Sequence, residues 1–164
     1  MEYGVVIREA AEYDLPRMEE IRRAAFEPVF ASFRGMLGDE LYELVQARED
    51  EAQSKLLLSL FDAESVWQLY AAEIDGAVVG FVAVLLDHET LVGEIGLNAV
   101  DPSHAGKGIG TSMYNFALAR MKDAGMKAAT VATGADAAHA PARRAYRKAG
   151  FAAEIPSVWM CRRL

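Results

Sequence analysis

The chain has 164 residues, of which 52% are hydrophobic and 25% are charged, a composition typical of a globular domain and not of a disordered chain. At this length we expect one domain with a sizeable core. No apolar run reaches the ~20 residues that a membrane-spanning helix needs, so we expect no membrane association. The net charge of −7 argues against nucleic-acid binding, which requires a basic face.

The charge is divided unevenly along the chain. Residues 1–64 carry 7 basic and 15 acidic groups, net −8, whereas residues 65–164 carry 10 basic and 9 acidic groups, net +1. The acidic part favours a cationic substrate, although acidic helices also commonly just face solvent. The single cysteine, Cys161, excludes an internal disulfide and a cysteine-based zinc site. Because the N-terminal MEYGVVIREA is too short and too acidic for a signal peptide, we predict a cytoplasmic protein.

The first part of the chain predicts one strand followed by helices. Residues 3–9 have the pattern of a strand. A helix follows, capped by Asp14 and extending to about Glu27. Residues 26–38 contain proline and glycine and are predicted to form a loop with short helical turns. Residues 39–60 predict a second helix with a strongly polar middle.

After residue 65 the pattern changes to strands interleaved with helices. Asp75-Gly76 is a strong signal for a hairpin between two strands. The predicted strands are 66–74, 78–86, 91–100, 127–133, 151–154 and 157–162, and helices begin at Ile109 and Pro141. Strict alternation along 91–100 places Glu94, Gly96, Asn98 and Val100 on one face of their strand.

A loop with three glycines, Gly106, Gly108 and Gly110, joins the strand that ends at Val100 to the helix at Ile109. Glycine lets backbone N–H groups crowd round an anion, and the helix N-terminus adds a favourable dipole. These residues therefore favour a phosphate-bearing ligand, with a tight, ligand-free turn as the alternative. The G-x-G-x-G spacing fits neither a Walker A loop nor a dinucleotide fingerprint.

Two segments together resemble the signature motifs of the GNAT superfamily of N-acetyltransferases. VDPxxxGKGIG, at 100–110, resembles the loop that binds the acyl-CoA pyrophosphate, and HAPARRAYRKAGF, at 139–151, resembles N-x-x-A-x-x-L-Y-x-K-x-G-F. The chain departs from the family in having Ala105 where Arg or Gln is usual. His139 and Ala145 stand where the second motif usually has Asn and Leu.

The resemblance is good over residues 66–164 and holds in outline before them. It implies an α/β fold, with a mixed, mostly antiparallel sheet of about six or seven strands flanked by about four helices. Two strands would splay apart to form an acyl-CoA cleft. A single N-acetyltransferase domain would span 1–164, with acceptor-side elements in 1–64 and the acetyl-CoA-binding core in 65–164.

The resemblance also implies a reaction, the transfer of an acetyl group from acetyl-CoA to a primary amine by direct attack in a ternary complex. Tyr146 matches the tyrosine that faces the CoA sulfur, and a phenol with a pKa of about 10 can protonate the departing thiolate. A tyrosine packed on the sheet is the alternative. Glu94 is the candidate base, acting directly or through water, unless it is a surface acid at the edge of the strand.

Cofactor contacts are expected from both motifs and from the preceding strand, and no metal is expected. The candidates are Asn98, Ala99, Val100, Gly106, Lys107, Gly108, Ile109, Gly110, Thr111, His139, Ala142 and Lys148. The acceptor pocket is expected from apolar residues (Phe26, Phe30, Phe33, Met36) with acidic residues (Glu27, Asp39, Glu40) near an ammonium group, unless the aromatic residues are core.

Two further possibilities stay open from the sequence. Because of Ala105 and Gly96, the chain could be a non-catalytic acyl-CoA-binding sensor or interaction module. A homodimer could form through the sheet edges and the C-terminal strand. The expected partners are acetyl-CoA and an amine whose identity the sequence does not give.

Overall fold

Five strands form one mixed sheet in the computed structural model, which describes residues 4–164. In spatial order they are β1 (Val6–Glu9), β2 (Trp67–Ile74), β3 (Ala77–Asp87), β4 (Val92–Val100) and β5 (Ala128–Val131). Neighbouring strands are antiparallel except for the parallel pair β4 and β5. The α/β class is therefore confirmed, with five strands in the described residues instead of six or seven. Tyr3 of the predicted first strand lies outside the described residues.

Helices cover both faces of the sheet. They are α1 (Leu15–Leu37), α2 (Asp39–Val45), α3 (Glu49–Ser59), α4 (Ile109–Asp123) and α5 (Ala140–Lys148). Phe81 and Ala83 of β3 pack towards α1 and α3, whereas Val82 and Val84 pack towards α4 and α5. We name these the α1/α3 face and the α4/α5 face; α2 is short and packs against α1. In the described part of the chain, no helix is both long and apolar enough to cross a lipid bilayer.

The prediction for residues 26–60 is wrong in two places. The predicted loop at 26–38 is the second half of α1, which continues through Pro28 to Leu37 and ends at Gly38 with a φ of +75°. Proline removes one helical hydrogen bond, but the stability of a helix in a protein comes mostly from the packing of its apolar face, and Val29, next to Pro28, is buried. The single helix predicted at 39–60 is instead two helices, interrupted at residues 46–48.

The two closing strands predicted at 151–154 and 157–162 do not form. Residues 151–164 have no regular secondary structure, and Pro156 in their middle has no N–H to donate to a ladder. The apolar side chains of Ile155, Val158, Trp159 and Met160 are largely exposed. An apolar pattern indicates a strand only where a neighbouring strand is available to pair with it. The homodimer through this segment stays a prediction.

A β-bulge in β4 overturns the predicted alternation. Val82 of β3 pairs with Asn98, and Val84 pairs with Ile95. Two residues of β4, Gly96 and Leu97, therefore lie opposite one residue of β3, the one between Val82 and Val84. Ile95 and Asn98 consequently lie on the same α4/α5 face. Glu94 lies on the opposite, α1/α3 face. The expectation that Glu94 and Asn98 share a face is therefore wrong.

The strands β4 and β5 separate beyond the bulge. Their parallel pairing covers only residues 92–95 with 128–131, and it ends at the pair Ile95 and Val131. β4 continues to Val100, paired with β3 alone. Residues 96–100 therefore border an opening in the sheet, which lies directly before the glycine loop.

A buried guanidinium joins α1 to α3. Arg22 is 0% exposed and donates two hydrogen bonds of 2.8 Å to the carboxylate of Glu19. It also donates to Asp50 of α3 at 3.0 Å and to Gln53 at 3.3 Å. The hydrogen bonds that Arg22 donates, first to Glu19 and then to Asp50, outweigh its burial and raise the pKa of Arg22. This charge is stable in the interior because it is fully paired.

We predict that Arg22→Ala lowers the free energy of unfolding by about 3 kcal/mol, because it removes charged hydrogen bonds and leaves a cavity between the helices. Arg23→Ala is the matched control, since Arg23 is 66% exposed and its ion pairs are 3.8 Å long. The control should cost less than about 0.5 kcal/mol. Urea denaturation measures both, and equal losses would contradict a special role for Arg22.

Candidate functional site

The glycine loop is held to the rest of the domain by Asp101. This residue follows β4, accepts hydrogen bonds from the N–H and the hydroxyl of Ser103 at 2.8 and 2.7 Å, and is paired with Arg17 of α1. Gly106 and Gly108 then take left-handed conformations, with φ of +77° and +79°. An L side chain rarely adopts these angles, which explains glycine at both positions. Gly110 differs because it lies within the first turn of α4.

Several backbone N–H groups lie close together at the start of α4. The N–H of Ser112 donates to the carbonyl of Gly108 and is the first hydrogen bond of the helix. The N–H groups of Ile109, Gly110 and Thr111 consequently have no partner within the helix. Together with the positive end of the helix dipole, they form an arrangement suited to a phosphate group. The predicted residues 106–111 thus form the end of the glycine loop and the first turn of α4, and residues 101–105 connect them to β4.

A polar cluster lies on the α4/α5 face beside the opening in the sheet. The amide nitrogen of Asn98 donates to the carbonyl of Gly96 at 2.9 Å and to the hydroxyl of Tyr146 at 3.0 Å. The hydroxyl of Tyr114 donates to the carbonyl oxygen of Asn98 at 2.8 Å. Tyr146 is 6% exposed, and its ring lies 4.4 Å from that of Tyr114 and 6.0 Å from that of Phe151.

Sequence reasoning missed Tyr114, although a signal was present. Tyr114 follows Met113 on the inner side of α4 and is 4% exposed. A buried tyrosine hydroxyl normally has a hydrogen-bond partner, so a tyrosine at a core position of this helix indicates a polar neighbour. The neighbour, Asn98, could be identified only in three dimensions. Burial, followed by the proximity of Tyr146, raises the pKa of Tyr114, so its hydroxyl stays a donor at neutral pH.

Glu94 lies on the other side of the sheet from the tyrosines. It pairs with Leu85 of β3 and with Thr130 of β5, one residue before the β4–β5 ladder ends. The neighbouring Gly96 cannot carry a side chain, because an added Cβ would lie 2.5 Å from the ring of Trp67. The indole thus fills the space beside Gly96, and Glu94 is the acidic residue of β4.

His139 is fixed at the start of α5. Its Nδ1 donates to Asp136, whose other carboxylate oxygen accepts from the hydroxyl of Ser32 in α1 at 3.0 Å. Arg143 donates to the carbonyls of Gly134 and Asp136 at 2.6 and 2.7 Å. Burial acts to raise the pKa of Asp136, but the hydrogen bonds from His139 and Ser32 outweigh it and lower that pKa. His139 is therefore held by an ionised carboxylate.

The candidate acceptor residues are only partly brought together. Phe26 and Phe30 have ring centroids 6.3 Å apart, and Phe33 lies 6.2 Å from the ring of His139. Met36 is exposed. Of the acidic candidates, Asp39 is paired with Arg34 at 3.1 Å and Glu40 is paired with Arg163. Within residues 4–164, no group of three or more His, Cys, Asp or Glu side chains is arranged to hold a metal ion.

The mixed sheet, the opening after the bulge and the glycine loop at a helix N-terminus define an α/β domain with a site suited to a phosphate-bearing ligand. The sequence profile of the acetyltransferase (GNAT) family matches residues 17–151. The chain belongs to this family. A comparison with curated protein sequences yields no significant match.

Solved structures share the fold over nearly the whole chain. A GNAT family acetyltransferase from Brucella melitensis in complex with acetyl-CoA is 22% identical, with a TM-score of 0.64 over 92% of this chain and 84% of its own. The PaiA N-acetyltransferase from Thermoplasma acidophilum in complex with coenzyme A is 19% identical, with a TM-score of 0.70 over 94% and 93%. An aminoglycoside acetyltransferase from an uncultured soil metagenomic sample, in complex with sisomicin, is 22% identical, with a TM-score of 0.59 over 98% and 96%.

We predict opposite effects on stability for alanine at two glycines of the loop. Gly108→Ala should lower the free energy of unfolding by about 1–2 kcal/mol, because a Cβ disfavours its left-handed backbone. Gly110→Ala should be neutral or stabilising by up to about 1 kcal/mol, since this residue is helical and an added Cβ would lie 3.7 Å from the Tyr114 ring. Urea denaturation distinguishes them, and a stabilising Gly108→Ala would contradict the assigned backbone geometry.

Proposed function

We propose that this protein transfers an acetyl group from acetyl-CoA to a primary amine, which attacks the thioester directly in a ternary complex. The observation that carries the proposal is the 3.0 Å hydrogen bond from Asn98 to the hydroxyl of Tyr146, beside the opening between β4 and β5. Membership of the acetyltransferase family supports the reaction class. The acetyl-CoA and coenzyme A complexes of proteins with the same fold support the donor.

The proposed acetyl-CoA site follows the backbone from β4 into α4. The pyrophosphate would bind at the loop and the first helical turn, with the backbone N–H groups of Ile109, Gly110 and Thr111 as donors. The residues that we assign to this contact are Gly106, Lys107, Gly108, Ile109, Gly110 and Thr111. The pantetheine arm would pair with the backbone of Asn98, Ala99 and Val100, where β4 has no β5 neighbour. We assign further contacts to α5, from His139, Ala142 and Lys148.

The reaction requires a neutral amine. An alkyl amine with a pKa of about 10.4 is protonated at pH 7, and its deprotonation costs about 4.6 kcal/mol. The amine nitrogen then forms a bond to the carbonyl carbon, the carbon–sulfur bond breaks, and the CoA thiolate leaves. A base that takes the ammonium proton and an acid that protonates the sulfur both lower the barrier.

Tyr146 is the proposed acid. Its oxygen accepts the hydrogen bond from Asn98, which leaves the phenol proton available to a group in the opening. The same hydrogen bond stabilises the phenolate that forms when the proton leaves. A departing thiolate next to Tyr146 would therefore receive the proton from an oxygen that is already stabilised for losing it.

Glu94 is the proposed base, acting directly or through one water molecule. It lies on the α1/α3 face, at the last pairs of the β4–β5 ladder, whereas Tyr146 lies on the α4/α5 face. A thioester in the opening would have the acid on one side of the sheet and the base on the other. This separation keeps the proton taken from the amine apart from the proton given to sulfur.

The acceptor that we propose is cationic. Residues 1–64, which include α1, α2 and α3, carry a net charge of −8, and this charge attracts protonated amines at long range. An aminoglycoside acetyltransferase with the same fold binds sisomicin, a cationic amine. Polyamines, aminoglycosides and lysine-containing peptides are therefore the first acceptors to screen.

Calorimetric titration with acetyl-CoA tests the proposed donor. We expect near-stoichiometric binding of acetyl-CoA and none of ATP or NAD, which share phosphate groups but not the pantetheine arm. Thiol release with the panel of amines then tests turnover. Acetyl-CoA binding without thiol release on any amine would favour a non-catalytic sensor, and the absence of binding would overturn the assignment of the glycine loop.

Tyr146→Phe should lower kcat by about 100-fold or more while the Kd for acetyl-CoA changes less than threefold, because only the proton donor is removed. Glu94→Gln should lower kcat/KM by a similar factor at neutral pH, because the base is lost. Steady-state kinetics with calorimetry measure both.

Tyr70→Phe is the matched control for the tyrosine. It also removes a buried hydroxyl, which donates to Gln68 at 2.8 Å away from the opening. Its kcat should stay within twofold of the wild-type value. If Tyr146→Phe retains the wild-type kcat, Tyr146 is not the acid; if Glu94→Gln does so, the proton leaves by another route.

A further inference from the structure

The hydroxyl of Tyr114 shares Asn98 with the catalytic candidate Tyr146, whose ring lies beside its own. It donates at 2.8 Å to the Asn98 carbonyl oxygen, and the amide nitrogen of Asn98 in turn donates to Tyr146 at 3.0 Å. Tyr114 is 4% exposed and projects from α4, so it forms one side of the buried cluster. Neither sequence motif assigns a role to this tyrosine.

The hydrogen bonds of Asn98 show what the contact from Tyr114 does. Both amide hydrogens of Asn98 are used, one by the carbonyl of Gly96 at 2.9 Å and one by Tyr146. The carbonyl oxygen of Asn98 is the alternative acceptor for the proton of Tyr146, at 3.5 Å. Tyr114 already donates to that oxygen at a much shorter distance. The two tyrosines thus compete for one acceptor, and Tyr114 occupies it.

We propose that Tyr114 is a positioning residue for the acetyl transfer: its hydroxyl holds the Asn98 amide and occupies its carbonyl oxygen, so that Tyr146 keeps its proton for the departing CoA thiolate. This inference rests on the proposed role of Tyr146 as the acid. In the step itself the carbon–sulfur bond breaks, the Tyr146 proton moves to sulfur, and the phenolate is stabilised by the Asn98 N–H. Solvent then restores the proton of Tyr146.

The Tyr114 hydroxyl decides whether Tyr146 accepts a hydrogen bond from Asn98 or donates one to it. With Tyr114 in place, Tyr146 accepts a hydrogen bond from Asn98 and its own proton is available to a group in the opening. Without the Tyr114 hydroxyl, the Asn98 oxygen can accept the Tyr146 proton, which is then no longer directed to the CoA sulfur. Removing the Tyr114 hydroxyl therefore changes the direction in which Tyr146 donates.

The first test measures the hydrogen bonding of Tyr146 by NMR, without any substrate. NMR of protein labelled at the tyrosine Cζ carbon, recorded at neutral pH, reports whether the Tyr146 hydroxyl accepts or donates its hydrogen bond. Tyr114→Phe should shift the Tyr146 resonance, because the Asn98 oxygen becomes free to accept the Tyr146 proton. Tyr70→Phe should leave that resonance unchanged. An unmoved Tyr146 resonance in Tyr114→Phe would overturn the inference.

The second test is kinetic and uses a double-mutant cycle. Tyr114→Phe should lower kcat about tenfold with the KM for acetyl-CoA within twofold, measured with the fastest amine of the panel or, if none reacts, with water as the acceptor. In the Tyr146→Phe background the same substitution should cause no further loss, because its partner is gone. Equal losses in both backgrounds would indicate a general structural defect and contradict the inference.

The two proposals fail in different ways. If Tyr146→Phe keeps the wild-type kcat, the acid role is wrong, and the positioning role is wrong with it. If Tyr146→Phe is impaired but Tyr114→Phe matches Tyr70→Phe, only the positioning role is wrong. Should Tyr114→Phe be too unstable to assay, Asn98→Asp replaces the donor to Tyr146 by an acceptor; it should lower kcat in the wild-type background and have no effect in Tyr146→Phe.

Discussion

The β-bulge at Gly96 and Leu97 is the constraint on which the site depends. One extra residue in β4 reverses which face of the sheet each later side chain of the strand points to. Asn98 therefore lies on the α4/α5 face, where it is hydrogen-bonded to the two tyrosines. In a regular strand Asn98 would point into the α1/α3 core, and both hydroxyls would lose their partner inside the protein, which is costly for buried polar groups. Glycine at 96 is required because the Trp67 ring fills the space of a side chain.

The same stretch of β4 separates from β5, which leaves one edge of the strand without a neighbouring strand. Beyond Ile95 its backbone has a partner on one side only, and within a few residues the chain reaches the left-handed glycines 106 and 108. Backbone donors and acceptors are therefore offered along a continuous path from the sheet to the helix N-terminus. In our proposal the thioester lies where this path begins, with Tyr146 and Glu94 on opposite faces of the sheet.

Helix α1 links the proposed acceptor side to the proposed cofactor side by polar contacts along its length. Arg17 is paired with Asp101 before the glycine loop, Arg22 with Asp50 of α3, and Ser32 with Asp136 before α5. Buried or half-buried polar groups are stable only when they are paired, so these contacts restrict how α1 can be placed. The loop at each end of the proposed acetyl-CoA site is thereby attached to the same helix.

The sequence by itself determined the α/β class, the hairpin at Asp75-Gly76 and the glycine loop before α4, because each depends on local conformation or on a short apolar pattern. It also identified Tyr146 as a candidate through its motif. Only the tertiary structure decided the continuation of α1 through Pro28, the absence of strands after residue 150, the face of Glu94 and the partnership of Tyr114 with Asn98. Those features depend on packing and on strand register between distant residues, and neither the register nor the bulge leaves a periodic signal in the chain.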